Sequence, residues 1–320
     1  MNLVTTHSLS SHIGQDVMLQ CRLIGLQRRT SQFGKPYLQL KVSDSQGSAK
    51  ALVWSGDPLF HHIERLDSSH LAAIELIGRV VRLDQHIFLK AQDLSLVSAS
   101  HVVNGALLLP KMMVPVLAHD AHEWLVNFIE KMPSESLRTF LTGMLLDPAI
   151  GFRFIRCRAS ENNHHRYPGG LLVHCVQMAK IIECIGHELG LTQSEILISQ
   201  VGAILHDLGK IQTVGDKNPR PMPPKLFRHE VLSLVLVAPH LKQLSDVAPV
   251  EGWLLTHILD RLISSKSSLD SRFIGEDLIR FADYLSAANQ AGKSLDNFMG
   301  IGSYHSSHPS QKSMHQDMRA

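Results

Sequence analysis

Along the first hundred residues, apolar and polar positions alternate. The runs 17–24, 36–43, 49–54, 73–83 and 87–97 place hydrophobic side chains at every second position and are rich in β-branched residues, the pattern of half-buried strands. Between the second and third runs, Asp44-Ser45-Gln46-Gly47 supplies the residue types a hairpin turn needs. A helical stretch at 59–66 separates the third strand from the fourth. From Ala118 onward the apolar period lengthens to that of helices, predicted at 118–131, 134–147, 169–189, 193–210, 228–238, 247–261 and 275–291. Thr192 and Asp246 have the side chains of N-caps.

Five strands with a helix between the third and fourth is the element order of an OB-fold barrel. The fold class expected is therefore two-domain: an N-terminal all-β OB-fold followed by an all-α helical bundle. The boundaries expected are a barrel at 1–100, a linker at 101–116, a helical domain at 117–298 and a disordered Ser/His/Gln-rich tail at 299–320. The prolines of Leu109-Pro110-Lys111-Met112-Met113-Val114-Pro115 discourage a continuous helix across the linker. Residues 216–224, with four prolines, form a loop.

Composition narrows the function classes. With 31 basic and 29 acidic residues the net charge is +2, which excludes nucleic-acid binding by bulk charge and leaves room for a local basic groove. Cys21, Cys157, Cys175 and Cys184 form no CxxC pair and read as free, buried thiols in a reducing compartment. The N-terminus has no charged segment followed by an apolar core, and no apolar stretch approaches the roughly 20 residues of a membrane span. The expectation is a cytoplasmic protein without a membrane partner; its oligomeric state is left open.

The candidate chemistry begins at His206-Asp207, inside Ala203-Ile204-Leu205-His206-Asp207-Leu208-Gly209-Lys210. Adjacent metal-ligand side chains in an apolar run are costly unless a cation sits there. His174, His229, His257 and Asp283 complete an ordered set of imidazoles and carboxylates, a mixture that suits Mn, Fe, Co or Zn better than calcium. In a helical scaffold such ligands come from facing helices. The order His, His-Asp, His, His, Asp resembles the HD-domain metal-dependent phosphohydrolases. That resemblance implies a first metal held by His174, His206, Asp207 and Asp283, and a second held by His229 and His257 with Asp207 bridging. Two such ions clamp the attacking and leaving oxygens of a phosphoryl displacement. Lys210, one turn after His206, is placed to contact the scissile phosphate.

Just before His174 lies a dense polar loop, Ser160-Glu161-Asn162-Asn163-His164-His165-Arg166-Tyr167-Pro168-Gly169-Gly170, expected to face substrate. A barrel, a linker, this histidine-rich loop and His206-Asp207-Leu208-Gly209-Lys210 together resemble the YhaM-type 3′-to-5′ exoribonucleases over residues 10 to 295. The resemblance implies removal of nucleotides from the 3′ end of single-stranded RNA, and often DNA, with manganese preferred. It implies His164 and His165 beside Asp207 and Lys210 in catalysis, and Arg166 on the nucleic acid. Ile258 stands where that family often has a second histidine after His257. The same segments also resemble MobH-type conjugative relaxases, although Asn163 breaks their histidine triplet, and the helical domain by itself fits a nucleotide phosphohydrolase or a non-catalytic binding module. On the barrel, Arg28, Arg29, Phe33, Lys35, Tyr37, Lys50, Trp54 and Phe88 combine phosphate attraction with base stacking and are the candidate contacts for single-stranded RNA or DNA.

Overall fold

The computed structural model describes residues 2–65, 72–98, 101–161, 165–215, 226–263 and 273–290. The tail expected at 299–320 and the proline-rich loop at 216–224 lie outside the described residues.

Strands β1 (Asn2–Val4), β2 (Asp16–Thr30), β3 (Pro36–Ser43), β4 (Ser48–Trp54), β5 (Ala73–Leu83) and β6 (His86–Leu96) form one sheet, with helix α1 (Pro58–Glu64) between β4 and β5. The first half of β2 pairs antiparallel with β5 from Asp16↔Arg79 to Arg22↔Ala73. Its second half pairs with β3 from Arg22↔Ser43 to Thr30↔Pro36. Arg22 thus marks a corner, and an irregularity in the β2–β3 register falls just beyond it, between Leu23 and Gly25, where an inserted residue sharpens the bend. The pairs β3–β4, β4–β6 (parallel) and β6–β5 close the ring. This closed order is that of an OB-fold, and closure leaves no free edge among the five main strands. Inside, Leu19, Leu38, Leu40, Leu76 and Leu89 are fully buried, and Phe60 and Ile63 of α1 plug one end. The expected turn at Asp44 is present. Its buried carboxylate accepts from the amides of Gln46, Gly47 and Thr6 and from the Thr6 hydroxyl, tying the N-terminal segment to the barrel.

The segment expected as a linker is packed. Asn104, Ala106, Leu108 and Leu109 are buried. Asn104 donates to the Val126 carbonyl and accepts from the amide of Ala106. On the barrel side, Arg22 donates to the Leu108 carbonyl and its guanidinium lies over the Phe152 ring, while Ser45 N donates to Leu107 O and Lys111 N to Asp44 O. Ala106, Leu107 and Leu109 carry this connection into a second hydrophobic core that continues through the helices.

Those helices are α2 (His119–Glu130), α3 (Glu135–Leu146), α4 (Gly151–Arg156), α5 (Gly170–Glu188), α6 (Gln193–Leu205), α7 (Lys210–Thr213), α8 (His229–Val247), α9 (Pro249–Ile263) and α10 (Ile274–Gln290). Thr192 caps α6 as expected, exchanging hydrogen bonds with Glu195 in a capping box. Asp246 does not cap α9. It lies in the last turn of α8, which runs through Pro239 instead of ending before it. Pro239 and Val235, whose carbonyl would accept from residue 239 in an unbroken helix, are both exposed, so the missing bond falls on the solvent side. The helix expected at 193–210 breaks at His206, and the short α4 was not expected. All four cysteines are free, but Cys184 is exposed, not buried. Among the described residues no helix is long and apolar enough to cross a membrane.

Candidate metal centre

Two glycines let the chain approach itself at this centre. A Cβ on Gly170 would stand 2.0 Å from the His165 carbonyl oxygen, so only glycine lets the preceding loop lie against the start of α5. His174 follows one turn later, fully buried. A Cβ on Gly209 would stand 2.0 Å from the His229 carbonyl oxygen, so glycine here lets the start of α8 rest on the turn after α6. Ser233 secures that contact: its hydroxyl accepts from the Gly209 amide at 2.8 Å and donates to the His206 carbonyl at 2.8 Å.

The result is a buried cluster in which one ligand atom each from His174, His206 and Asp207 lies within 4.8 Å of the other two. His206 Nε2 and His174 Nε2 are 3.2 and 3.6 Å from Asp207 Oδ2. Asp283, on α10, brings Oδ1 to 3.2 Å from His174 Nε2, and His229, first residue of α8, brings Nε2 to 3.0 Å from Asp207 Oδ1. Lys210 pairs with Asp207 Oδ2.

His206 Nδ1 lies 2.7 Å from the Ala203 carbonyl, which can only accept, so Nδ1 carries a proton. In a neutral ring Nε2 then presents its lone pair to a carboxylate oxygen, and it is buried with no well-formed hydrogen bond among the described residues. Two acceptors facing each other in a buried site require positive charge between or upon them. Without a cation the ring itself supplies it. Burial opposes charge on His206, but Asp207 outweighs that and holds the imidazole well above the usual histidine range. Burial likewise opposes charge on Asp207, and His206 and Lys210 hold it well below the usual carboxylate range. At Asp283 burial is outweighed by the hydrogen bond from His174, and its carboxyl is also lowered. A divalent transition metal fits the same donor set, because it accepts Nε2 lone pairs and carboxylates together.

Other expected residues fall elsewhere. His257 Nε2 lies 2.7 Å from Glu276 Oε1, and the other Glu276 oxygen takes Arg261 Nε at 3.2 Å. His165 is 1% exposed and packs behind the cluster, its ring centroid 5.7 Å from that of His174, so it does not face solvent as its polar neighbours suggested. His164 lies outside the described residues, and Arg166 is exposed. Ser233, Gln177, Ser286 and Glu276 were not expected. Helical spacing could have found two of them, since Gln177 is three residues after His174 and Ser286 three after Asp283.

On the barrel, register sorts the candidate contacts by face. Tyr37 pairs with Trp54 and Arg29, and Lys41 pairs with Lys50, so these five share the outer face. The Tyr37 and Trp54 rings are 5.1 Å apart, with Trp54 38% exposed. β3 and β4 contribute no acidic residue to this face. Phe33 (81% exposed) and Lys35 extend from the adjoining hairpin, and Phe88 is half-buried on β6. Arg28 points the other way: it pairs with Glu64 at 2.8 Å and lies over the Phe60 ring.

The family model described as HD domain matches residues 171–288, the stretch that contains His174, His206, Asp207, His229, His257 and Asp283. HD-domain proteins are metal-dependent phosphohydrolases, and the chain carries this helical domain downstream of its barrel. Among solved structures, a putative aspartyl-tRNA synthetase from Leishmania major Friedlin is 15% identical over 30% of this chain and 21% of that one, with a TM-score of 0.25. The second OB-fold domain of replication protein A from Methanococcus maripaludis is 11% identical over 27% of this chain and 87% of that one, with a TM-score of 0.22.

Proposed function

We propose that the chain is a metal-dependent phosphodiesterase that shortens single-stranded RNA, and DNA where offered, from the 3′ end. The observation that carries this reading is one chain holding both a buried His174–His206–Asp207 cluster and a barrel face of Arg29, Tyr37, Lys41, Lys50 and Trp54. His174, His206, Asp207 and Asp283 would hold a divalent metal, manganese by resemblance, with His229 and His257 for a second ion. Such an ion supplies Lewis acidity to the phosphoryl group and a water nucleophile near neutral pH.

The chain's own residues do the rest. Lys210, already beside the cluster, moves from Asp207 toward a phosphate oxygen and offsets charge developing there. Arg166, exposed in the loop before α5, binds the backbone of the terminal nucleotides. Tyr37 and Trp54 stack upstream bases while the lysines beside them meet phosphates, an arrangement tolerant of sequence. The domain limits 1–100, 101–116 and 117–298 describe this division of labour.

The test is a time course with manganese and a 5′-labelled single-stranded RNA, with the matching DNA in parallel, resolved at single-nucleotide spacing. A descending ladder lost on chelation is the expected result. A single cut, or none until a supercoiled plasmid is supplied, would replace this reading with a nicking enzyme; cleavage of small nucleotides alone would replace it with a nucleotide phosphohydrolase.

A further inference from the structure

A chain of hydrogen bonds runs from the loop before α5 to the back of His174. The Tyr167 hydroxyl lies 3.0 Å from His165 Nδ1, and His165 Nε2 lies 3.1 Å from Gln177 Oε1. The same amide oxygen is 3.2 Å from Ser286 Oγ, which is 2.9 Å from His174 Nδ1. His165 sits in this chain with a backbone φ of +51°, in the left-handed region that non-glycine residues rarely occupy.

With both rings neutral, these four contacts admit two arrangements. In the first, Gln177 Oε1 accepts from both neighbours, so Ser286 has spent its proton and accepts from His174 Nδ1–H. His174 then presents the Nε2 lone pair toward Asp207 and Asp283, and His165 accepts from the Tyr167 hydroxyl. Turning the Gln177 amide over reverses every link. Its N–H groups then donate to Ser286 and His165, Ser286 donates to His174 Nδ1, and His174 carries its proton on Nε2, facing two carboxylates 3.6 and 3.2 Å away. A cation among those groups is compatible with the first arrangement alone, since a protonated Nε2 cannot be a ligand. Without a cation a neutral His174 takes the second, its Nε2–H meeting the two carboxylates.

We infer that Gln177 is a positioning residue whose amide orientation sets the His174 tautomer, and that metal loading reverses the whole chain. The hydroxyl of Tyr167 changes from acceptor to donor as it does so. The inference rests on the reading of His174 as a metal ligand. It adds a route by which the loop carrying Arg166 senses whether the centre is loaded.

The experiment uses the full chain labelled with 15N-histidine, with zinc as a diamagnetic probe, and compares wild type, Gln177→Glu, Gln177→Leu and Ser286→Ala. Ring tautomers are read from two-bond 1H–15N spectra, and zinc affinity from competition with a chromophoric chelator. In wild type His174 is expected as the Nδ1–H tautomer with zinc and the Nε2–H tautomer with chelator. Gln177→Glu, whose carboxylate only accepts, should hold the Nδ1–H tautomer in both conditions and keep zinc affinity within about threefold, whereas Gln177→Leu and Ser286→Ala should weaken zinc by about 10- to 100-fold. Wild-type affinity in Gln177→Leu, or a His174 that keeps Nδ1–H in wild type without zinc, as a neutral tautomer or as a doubly protonated ring, would overturn the inference. Failure of wild type to bind zinc would overturn the metal reading of His174 instead. The metal-free comparison of wild type with Gln177→Glu would still decide whether Gln177 sets the tautomer.

Discussion

The Ser233 hydroxyl accepts from the amide of Gly209 at 2.8 Å and thereby fastens α8 to the turn that presents His206 and Asp207. The bond is fully buried, so nothing replaces it when it is removed. Ser233→Ala strands the Gly209 amide and the His206 carbonyl together, and should cost about 1–3 kcal/mol of folding stability. Chemical denaturation of the metal-free protein measures this directly; an unchanged midpoint would show that the turn holds itself.

Asp207 touches three imidazoles and Lys210 at once. Asp207→Asn keeps its shape while removing the charge that Lys210 and a divalent cation both need. Metal affinity should fall by about 100-fold or more and the proposed nuclease activity with it, by comparison with the 10–100-fold typical of residues that only support metal ligands. Isothermal titration with manganese, beside the ladder assay, checks both; full activity in the variant would move the chemistry elsewhere.

Acid should weaken the fold through a residue remote from that chemistry. His122 is buried, its Nε2 on the Ala106 carbonyl, and burial pushes its imidazole down to about 4. A depressed histidine is neutral in the folded chain when the unfolded chain has already taken up a proton. Stability is therefore fully present above the unfolded value of about 6.5 and falls as pH drops toward 4, by up to about 3 kcal/mol in all. His122→Gln keeps an N–H donor without a titrating ring. The difference in unfolding free energy between the two proteins, followed from pH 7 to 4, should show the wild type losing more.

Binding by the barrel face should separate into two kinds of contact. Trp54→Ala should weaken single-stranded RNA by about 1–3 kcal/mol at any salt concentration, the range for loss of one stacking platform. Lys50→Ala should mainly reduce the salt dependence, lowering the slope of log affinity against log salt by about 0.7. Fluorescence anisotropy with a chelator present measures both without cleavage. Because these side chains lie outside the barrel core, melting temperatures should hardly move, and a large drop would mark Trp54 as structural.

Much of the barrel was legible because each strand hides one face and wets the other. The extension of β2 through residues 25–30 was not, since polar side chains there reveal nothing about a backbone paired to β3. In the helical domain, period located most helices but not their ends: Pro239 stops a helix only where its lost bond cannot be replaced by water, and a single sequence does not show which side faces solvent. The centre was legible at His174, His206 and Asp207 because charge interrupts apolar runs. It was not legible at His165, whose polar neighbours suggested exposure.

Under the proposed activity, the packed segment at 101–111 would make the molecule a ruler. Its bonds to Arg22, Ser45 and Asp44 on one side and to Val126 on the other leave no slack between barrel and bundle. Under that proposal a strand held by the barrel would be consumed only until its shrinking end no longer reached the centre. Digestion under the proposed activity would then stop at a remnant of set length, and the length of that remnant would be a property of the protein, not of the sequence being degraded.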